Sequence, residues 1–128
     1  PEKNDPTNKL LLNHGFGIKT SAGERYASDP VVIGIVKGLC DRYDIKCQRF
    51  VNRSDIPGGS TLGNISNSHI SLNTVDIGLA QLAMHSPYET AGVKDTEFMI
   101  KAVKKFYETA IVTDEEGRYS LGGKITRK

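Results

Sequence analysis

Residues 78–90, GLAQLAMHSPYET, end an apolar run on a histidine and follow it with Ser-Pro. The chain holds three histidines, His14, His69 and His85, and only His85 sits in such a setting. An imidazole there can be a hydrogen-bonded structural group, or it can offer a neutral nitrogen to a metal. Catalytic zinc takes about three protein ligands and keeps one position open. The chain has no HExxH and no second histidine at ligand spacing. The residue types around His85 therefore leave both readings open and complete no metal site.

Two further stretches could carry chemistry. DIPGGSTLG, residues 55–63, places adjacent glycines before a helix start. Backbone N–H groups in such a turn can face an anion. The P-loop pattern GxxxxGK[ST] is absent, so a small-anion site at Gly58–Thr61 lacks its lysine. The alternative is a tight strand-to-helix turn in which Gly58 and Gly59 adopt backbone angles that other residues avoid. Cys40 and Cys47, the only cysteines, have six residues between them. That is neither a zinc-finger nor a redox-motif spacing, so they read as two reduced, partly buried thiols. The lysines of KAVKKFYE lie opposite an apolar stripe and read as a solvated face.

The elements that must position these residues alternate. GFGIKTS (15–21) is a short strand with Phe16, Ile18 and Thr20 on one face. A helix is predicted over 28–44, capped by Ser28 or Asp29, with Pro30 in its first turn. Its apolar stripe is Val32, Ile35, Val36 and Leu39. KCQRFV (46–51) is a strand, 61–70 a short helix and NTVDIGLA (73–80) a strand. DTEFMIKAVKKFYETA (95–110) is the strongest helix, capped by Asp95 or Thr96. It shows Phe98, Met99, Ala102, Val103 and Phe106 on one side. Residues 1–14 read as a loop and 111–128 as a polar, turn-rich tail. Strands alternating with helices imply an α/β domain, whose sites gather at strand ends.

Bulk properties narrow the classes. The 128 residues suffice for one domain. The formal charge is +2, from 17 basic and 15 acidic residues, which does not point to nucleic acid. No run approaches the roughly 20 apolar residues of a membrane helix, and the start PEKNDPTNK is not a signal peptide. The sequons NRS and NIS would matter only in a secreted protein. The expected location is the cytoplasm.

The run from Arg53 to Glu108 resembles the aspartyl aminopeptidase family of two-zinc exopeptidases. The matches are Arg53, Asp55, Pro57, Gly59, Ser60, Thr61 and Gly63, then Val75, Asp76, Gly78, Leu82, Met84, His85, Ser86 and Glu89. Upstream, GIKTSAGERYASDP is similar to the family's I-K and R-Y-A segment, so the resemblance covers roughly residues 13–110. PGGST, NISNSHI and Pro87 depart from the usual pattern and bear on substrate preference.

The resemblance implies a part of a three-layer α/β/α zinc-exopeptidase domain (phosphorylase/hydrolase-like) in a metal-dependent aminopeptidase acting on peptides. It makes His85 a metal ligand. It places Lys19 and Tyr26 in the substrate pocket, where a lysine suits an acidic N-terminal side chain. Gly78 and Met84 belong to a segment that gives the substrate backbone partners. The cofactor is zinc, two ions in the whole enzyme, with cobalt or manganese as alternatives. The other ligands and the glutamate base find no match, so no catalytic residue is assigned within the chain. The 128 residues are expected to be the C-terminal portion of the catalytic domain and inactive alone, within a protein that forms homo-oligomers. The rival expectations are a non-catalytic α/β assembly domain and the small-anion binder at Gly58–Thr61.

Overall fold

The computed structural model describes residues 7–20, 28–51, 63, 66, 69–70 and 72–124. Strand β1 (Phe16–Thr20) leads into helix α1 (Pro30–Arg42) and then strand β2 (Cys47–Val51). β2 lies parallel to β1, from Phe16 beside Cys47 to Thr20 beside Val51. The other edge of β1 takes β3 (Ile77–Gly78), antiparallel, with Ile18 beside Ile77 and Gly17 beside Gly78. The order in this sheet is β2-β1-β3. Short strands β4 (Gln81–Leu82) and β5 (Thr90–Ala91) pair antiparallel. Helix α2 (Val93–Glu108) follows, and then the antiparallel pair β6 (Thr109–Thr113) and β7 (Tyr119–Lys124). The molecule is α/β, and its described helices share one core.

That core follows from side-chain period. Phe16 and Ile18 project from one face of β1 because alternate strand residues share a face. They pack with Val32, Val36, Leu39 and Cys40 of α1, Ile45, and Ala102 of α2. Along α1 the buried positions recur at one-turn intervals, but Cys40 takes the deep place expected for Ile35, which is only half-buried. Asp29 caps α1: its carboxylate accepts from the N–H groups of Val31 (2.7 Å) and Val32 (3.3 Å), with Pro30 at the first helical position. Gly34 faces open space within this helix. Gly34→Ala is therefore expected to stabilise the chain by about 0.5–1 kcal/mol, measured by urea denaturation.

Three expectations are corrected. Helix α2 begins at Val93 and not at Asp95, and neither Asp95 nor Thr96 caps it. Asp95 lies in the first turn, fully buried, and the capping acceptor comes from far away: Asn13 Oδ1 accepts from the Lys94 N–H at 3.1 Å. Val103 and Phe106, expected on the packed side, are exposed, and Ala102 carries the buried contact with Phe98 and Met99 beside it.

Thr109–Thr113 and Tyr119–Lys124 form a hairpin, where a polar tail was expected over 111–128. Its turn is organised by Asp114, which accepts from the N–H groups of Glu116 and Arg118 and from Arg118 Nε at 2.8 Å. The Arg118 hydrogen bonds hold the Asp114 carboxyl below the usual carboxylate range. Arg42 Nη1 donates to the Gly122 carbonyl at 3.0 Å and so ties the hairpin to α1. Of the strand expected over 73–80, only Ile77–Gly78 is paired as strand. Of the short helix expected over 61–70, Gly63, Ser66, His69 and Ile70 are described; the first three are helical and Ile70 is not.

Candidate functional site

The two faces of the sheet differ. Phe16 and Ile18 turn to the helices, so Gly17 and Lys19 turn to the other side. A methyl group at Gly17 would lie 3.2 Å from the Leu10 side chain, and one at Gly78 would lie 3.1 Å from Lys19 Cε. Lys19 therefore runs its stem across Gly78, its diagonal neighbour on β3. Two of the predicted pocket residues are brought together here, and the missing side chain at position 78 makes room for the lysine.

The backbone beneath Lys19 is clamped. Its N–H donates to the Asp76 carbonyl at 2.8 Å, and its own carbonyl accepts from Ser28 Oγ at 2.6 Å. The same hydroxyl accepts from the Asp76 N–H at 3.1 Å, so Ser28 bridges β1 to the segment entering β3. Asp29, the cap of α1, donates its N–H to the Thr74 carbonyl at 2.8 Å. The start of α1, the end of β1 and residues 74–78 thus form one hydrogen-bonded unit. Ser28 was read from the sequence only as a possible cap, and its bridging role depends on a partner 48 positions away.

From β3 the chain runs through buried Ala80 into the β4–β5 pair, which carries His85 in its connecting loop. Two non-glycine residues there adopt left-handed backbone angles, Ala83 at φ 51° and His85 at φ 66°. Such angles cost about 1 kcal/mol or more for a residue with a Cβ, so the surroundings must hold them. The His85 N–H donates to Glu89 Oε1 at 2.5 Å, the Ser86 N–H to the Ala83 carbonyl at 3.0 Å, and the Tyr88 N–H to Ser86 Oγ at 3.1 Å. Glu89 is therefore the residue that fixes the His85 backbone, a role that sequence spacing alone does not announce. The His85 ring makes no hydrogen bond to the described residues and is exposed, as is Met84 beside it.

His85 contributes one exposed imidazole ring. Among the described residues, no group of three or more His, Cys, Asp or Glu side chains is arranged to hold an ion. Zinc needs about three protein ligands. The described residues therefore do not complete a metal centre. Tyr26 and the Gly58–Thr61 turn lie outside the described residues.

A family model described as the aminopeptidase I zinc metalloprotease (M18) matches residues 1–107. The chain belongs to the M18 aminopeptidase family. The β6–β7 hairpin lies beyond the matched residues. A probable M18 family aminopeptidase 2 of Clostridium novyi (strain NT) is 48% identical over 106 residues, covering 83% of this chain and 24% of that protein. Its counterpart in Pseudomonas savastanoi pv. phaseolicola is 42% identical over 106 residues, covering 83% and 25%.

Among solved structures, a chain of the cryo-EM structure of the Ape4 and Nbr1 complex superposes with a TM-score of 0.78 at 33% identity. It covers 83% of this chain and 20% of that one. The M18 aminopeptidase from Thermotoga maritima shares the fold, with a TM-score of 0.67 at 22% identity, covering 80% of this chain and 24% of that one. The chain spans about a quarter of the length of the curated relatives it matches. Among the described residues no helix is long and apolar enough to cross a membrane.

Proposed function

We propose that these 128 residues are the C-terminal portion of an M18 catalytic domain, in a protein that removes N-terminal residues from peptides. The observation that supports this most directly is Lys19 lying over Gly78 on the face of the sheet turned away from the helices. That arrangement gives a cationic group a fixed stem beside a strand end, where α/β domains place their sites. A lysine so held pairs with a carboxylate, which suits substrates whose first residue is acidic. Tyr26 and Met84 are the proposed further pocket residues, and Gly78 leaves its backbone open to the substrate.

His85 is the proposed metal ligand. Zinc, when bound, polarises the peptide carbonyl and activates water. The chain's own contribution is to hold the imidazole at the head of a hydrogen-bonded loop and to orient the substrate with Lys19. Two zinc ions, with cobalt or manganese able to substitute, belong to the whole protein, as do the remaining ligands and the general base. The three-layer α/β/α arrangement, cytoplasmic location and homo-oligomeric state are proposed on the same footing.

The test is a chimera in which residues 1–107 replace the matching segment of the Clostridium novyi relative. The chimera is expected to release N-terminal residues from short peptides with zinc, cobalt or manganese, while the 128-residue chain releases none. His85→Ala in the chimera is expected to lower release by at least about 100-fold, more than loss of an outer-shell partner typically costs. Lys19→Ala is expected to raise KM more for acidic than for neutral N-termini. Release that survives His85→Ala would remove the histidine from the metal centre. Release by the 128-residue chain alone would show that the missing ligands lie within it.

A further inference from the structure

The β1–β3 ladder ends on an irregular rung. Past Ile18 beside Ile77, the next residues to meet are Lys19 and Asp76. A hydrogen-bonded pair of antiparallel residues exchanges two backbone bonds, one in each direction. One of them is direct here, the Lys19 N–H to the Asp76 carbonyl at 2.8 Å. The return path, from the Asp76 N–H to the Lys19 carbonyl, runs through the Ser28 hydroxyl. Ser28 Oγ accepts from the Asp76 N–H at 3.1 Å and donates to the Lys19 carbonyl at 2.6 Å. A hydroxyl can do both at once because it carries one donor and two lone pairs. The side chain of Ser28 thus stands inside the ladder as a spacer.

The spacer is itself held in place. The next residue, Asp29, donates its N–H to the Thr74 carbonyl at 2.8 Å and caps α1 with its carboxylate. The hydroxyl is therefore fixed to the start of a helix whose buried face belongs to the core. Lys19 leaves β1 at this rung, and its stem crosses Gly78, on the strand that the same rung holds.

We propose that Ser28 is a positioning residue for Lys19: its hydroxyl sets where the lysine leaves β1, and through it the preference for an acidic first residue in the substrate. This rests on the reading of Lys19 as the cation that pairs with the substrate's carboxylate. Without the hydroxyl, the Asp76 N–H and the Lys19 carbonyl both lose a partner while standing one oxygen atom apart. Buried or half-buried groups left so are costly, and water entering the rung loosens it. An ammonium on a loosened rung samples many positions, and misplacement by about 1 Å can cost about 100-fold in a positioned interaction.

The test has two arms. In the 128-residue chain, Ser28→Ala is expected to speed hydrogen exchange at the Asp76 amide by at least about tenfold, and Ser28→Thr to restore it. The Ile45 amide, bonded to the Cys40 carbonyl at the far end of α1, is the control and is expected to stay unchanged. Equal acceleration at Ile45 would mean general loosening and overturn the local role. In the chimera of residues 1–107, Ser28→Ala is expected to raise KM about tenfold for acidic N-termini and to leave kcat, and KM for neutral N-termini, within about twofold. Ser28→Thr is expected to restore the acidic KM. The double variant Lys19→Ala/Ser28→Ala is expected to lose no more acidic preference than Lys19→Ala alone, since one residue acts through the other.

Loss of acidic preference in Lys19→Ala but not in Ser28→Ala would overturn the positioning role and leave the lysine in the pocket. Losses that add in the double variant would also overturn it, because Ser28 would then act by another route. Acidic preference that survives Lys19→Ala would overturn the reading of the lysine itself, and the role of Ser28 with it.

Discussion

Asp95→Ala is expected to remove about 4 kcal/mol of stability, a large share of what a domain of this size has. The Asp95 carboxylate is fully buried at the first turn of α2. Its two oxygens accept from backbone N–H groups more than 80 positions earlier in one case and 80 in the other: Oδ2 from Asn13 and Oδ1 from Gly15, each at 2.7 Å. Hydrogen bonds to a charged acceptor contribute about 1.5–3 kcal/mol each, and alanine would strand both donors.

The surroundings of the carboxylate are close-packed. A Cβ at Gly92 would sit 2.4 Å from Asp95 Oδ2 and 2.7 Å from the Asn13 nitrogen, so the packing leaves no slack for a rearranged partner. Urea denaturation is expected to show a midpoint about 2 M lower than the parent's, given typical slopes for chains of this size. Asp95→Asn keeps one acceptor oxygen and turns an NH₂ donor toward the other N–H, so about half the loss is expected. Asn13→Ala removes only the helix cap and the residue type suited to its φ of 64°, which together are expected to cost about 1–2 kcal/mol. A loss below about 1 kcal/mol for Asp95→Ala would mean that the carboxylate does not tie residues 13–15 to the helix.

This tie marks the boundary of what the sequence made legible. Elements written in local pattern were readable. The βαβ unit follows from Phe16 and Ile18 alternating in β1, Pro30 behind an Asp29 cap, and a β-branched stripe in α1. Asp95 looked like a helix cap because aspartate just before an apolar stripe usually is one. A partner from residues 13–15 overrode that local preference, and no spacing rule connects the two.

The β6–β7 hairpin was missed for a different reason. Asp114, Glu115, Glu116 and Arg118 dominate the composition, so the segment read as a polar tail. The β-branched run Ile111, Val112, Thr113 and the Tyr119–Leu121 stretch flanking that turn were the signal that composition obscured.

At the candidate site the residue identities came from resemblance, not from local pattern. Periodicity assigns Lys19 to a strand and His85 to a loop, and it gives neither a task. Their support, Gly78 beneath the lysine and Glu89 beneath the histidine, exists only once the strands pair. The partners that a zinc centre would still need are absent from the described residues. No reading of residues 78–90 alone could therefore have completed it.

Gly15→Ala is expected to be about as damaging as Asp95→Ala, at about 3–5 kcal/mol, and for reasons that can be separated. Gly15 has φ 111°, a conformation that side-chain-bearing residues rarely adopt, and forcing one there costs about 1–3 kcal/mol. A Cβ at this position would also lie 2.3 Å from the Lys46 carbonyl oxygen and 2.7 Å from the Cys47 nitrogen. Those atoms belong to the backbone entering β2, so relief of the overlap must push β1 and β2 apart. The same displacement strains two bonds: the Gly15 N–H to Asp95, and the Gly15 carbonyl accepting from Gln48 Nε2 at 2.7 Å.

Gly117 supplies the internal control. It has φ 76° and open space where its Cβ would go, so Gly117→Ala carries the conformational cost without the overlap and is expected to lose only about 1 kcal/mol. The difference between the two losses measures the close approach of β1 to the start of β2. Equal losses would mean that the backbone at Lys46 and Cys47 yields freely. In that case the junction where β1, β2 and α2 meet would be soft, and the clamp on Lys19 four residues further along β1 would have no rigid base.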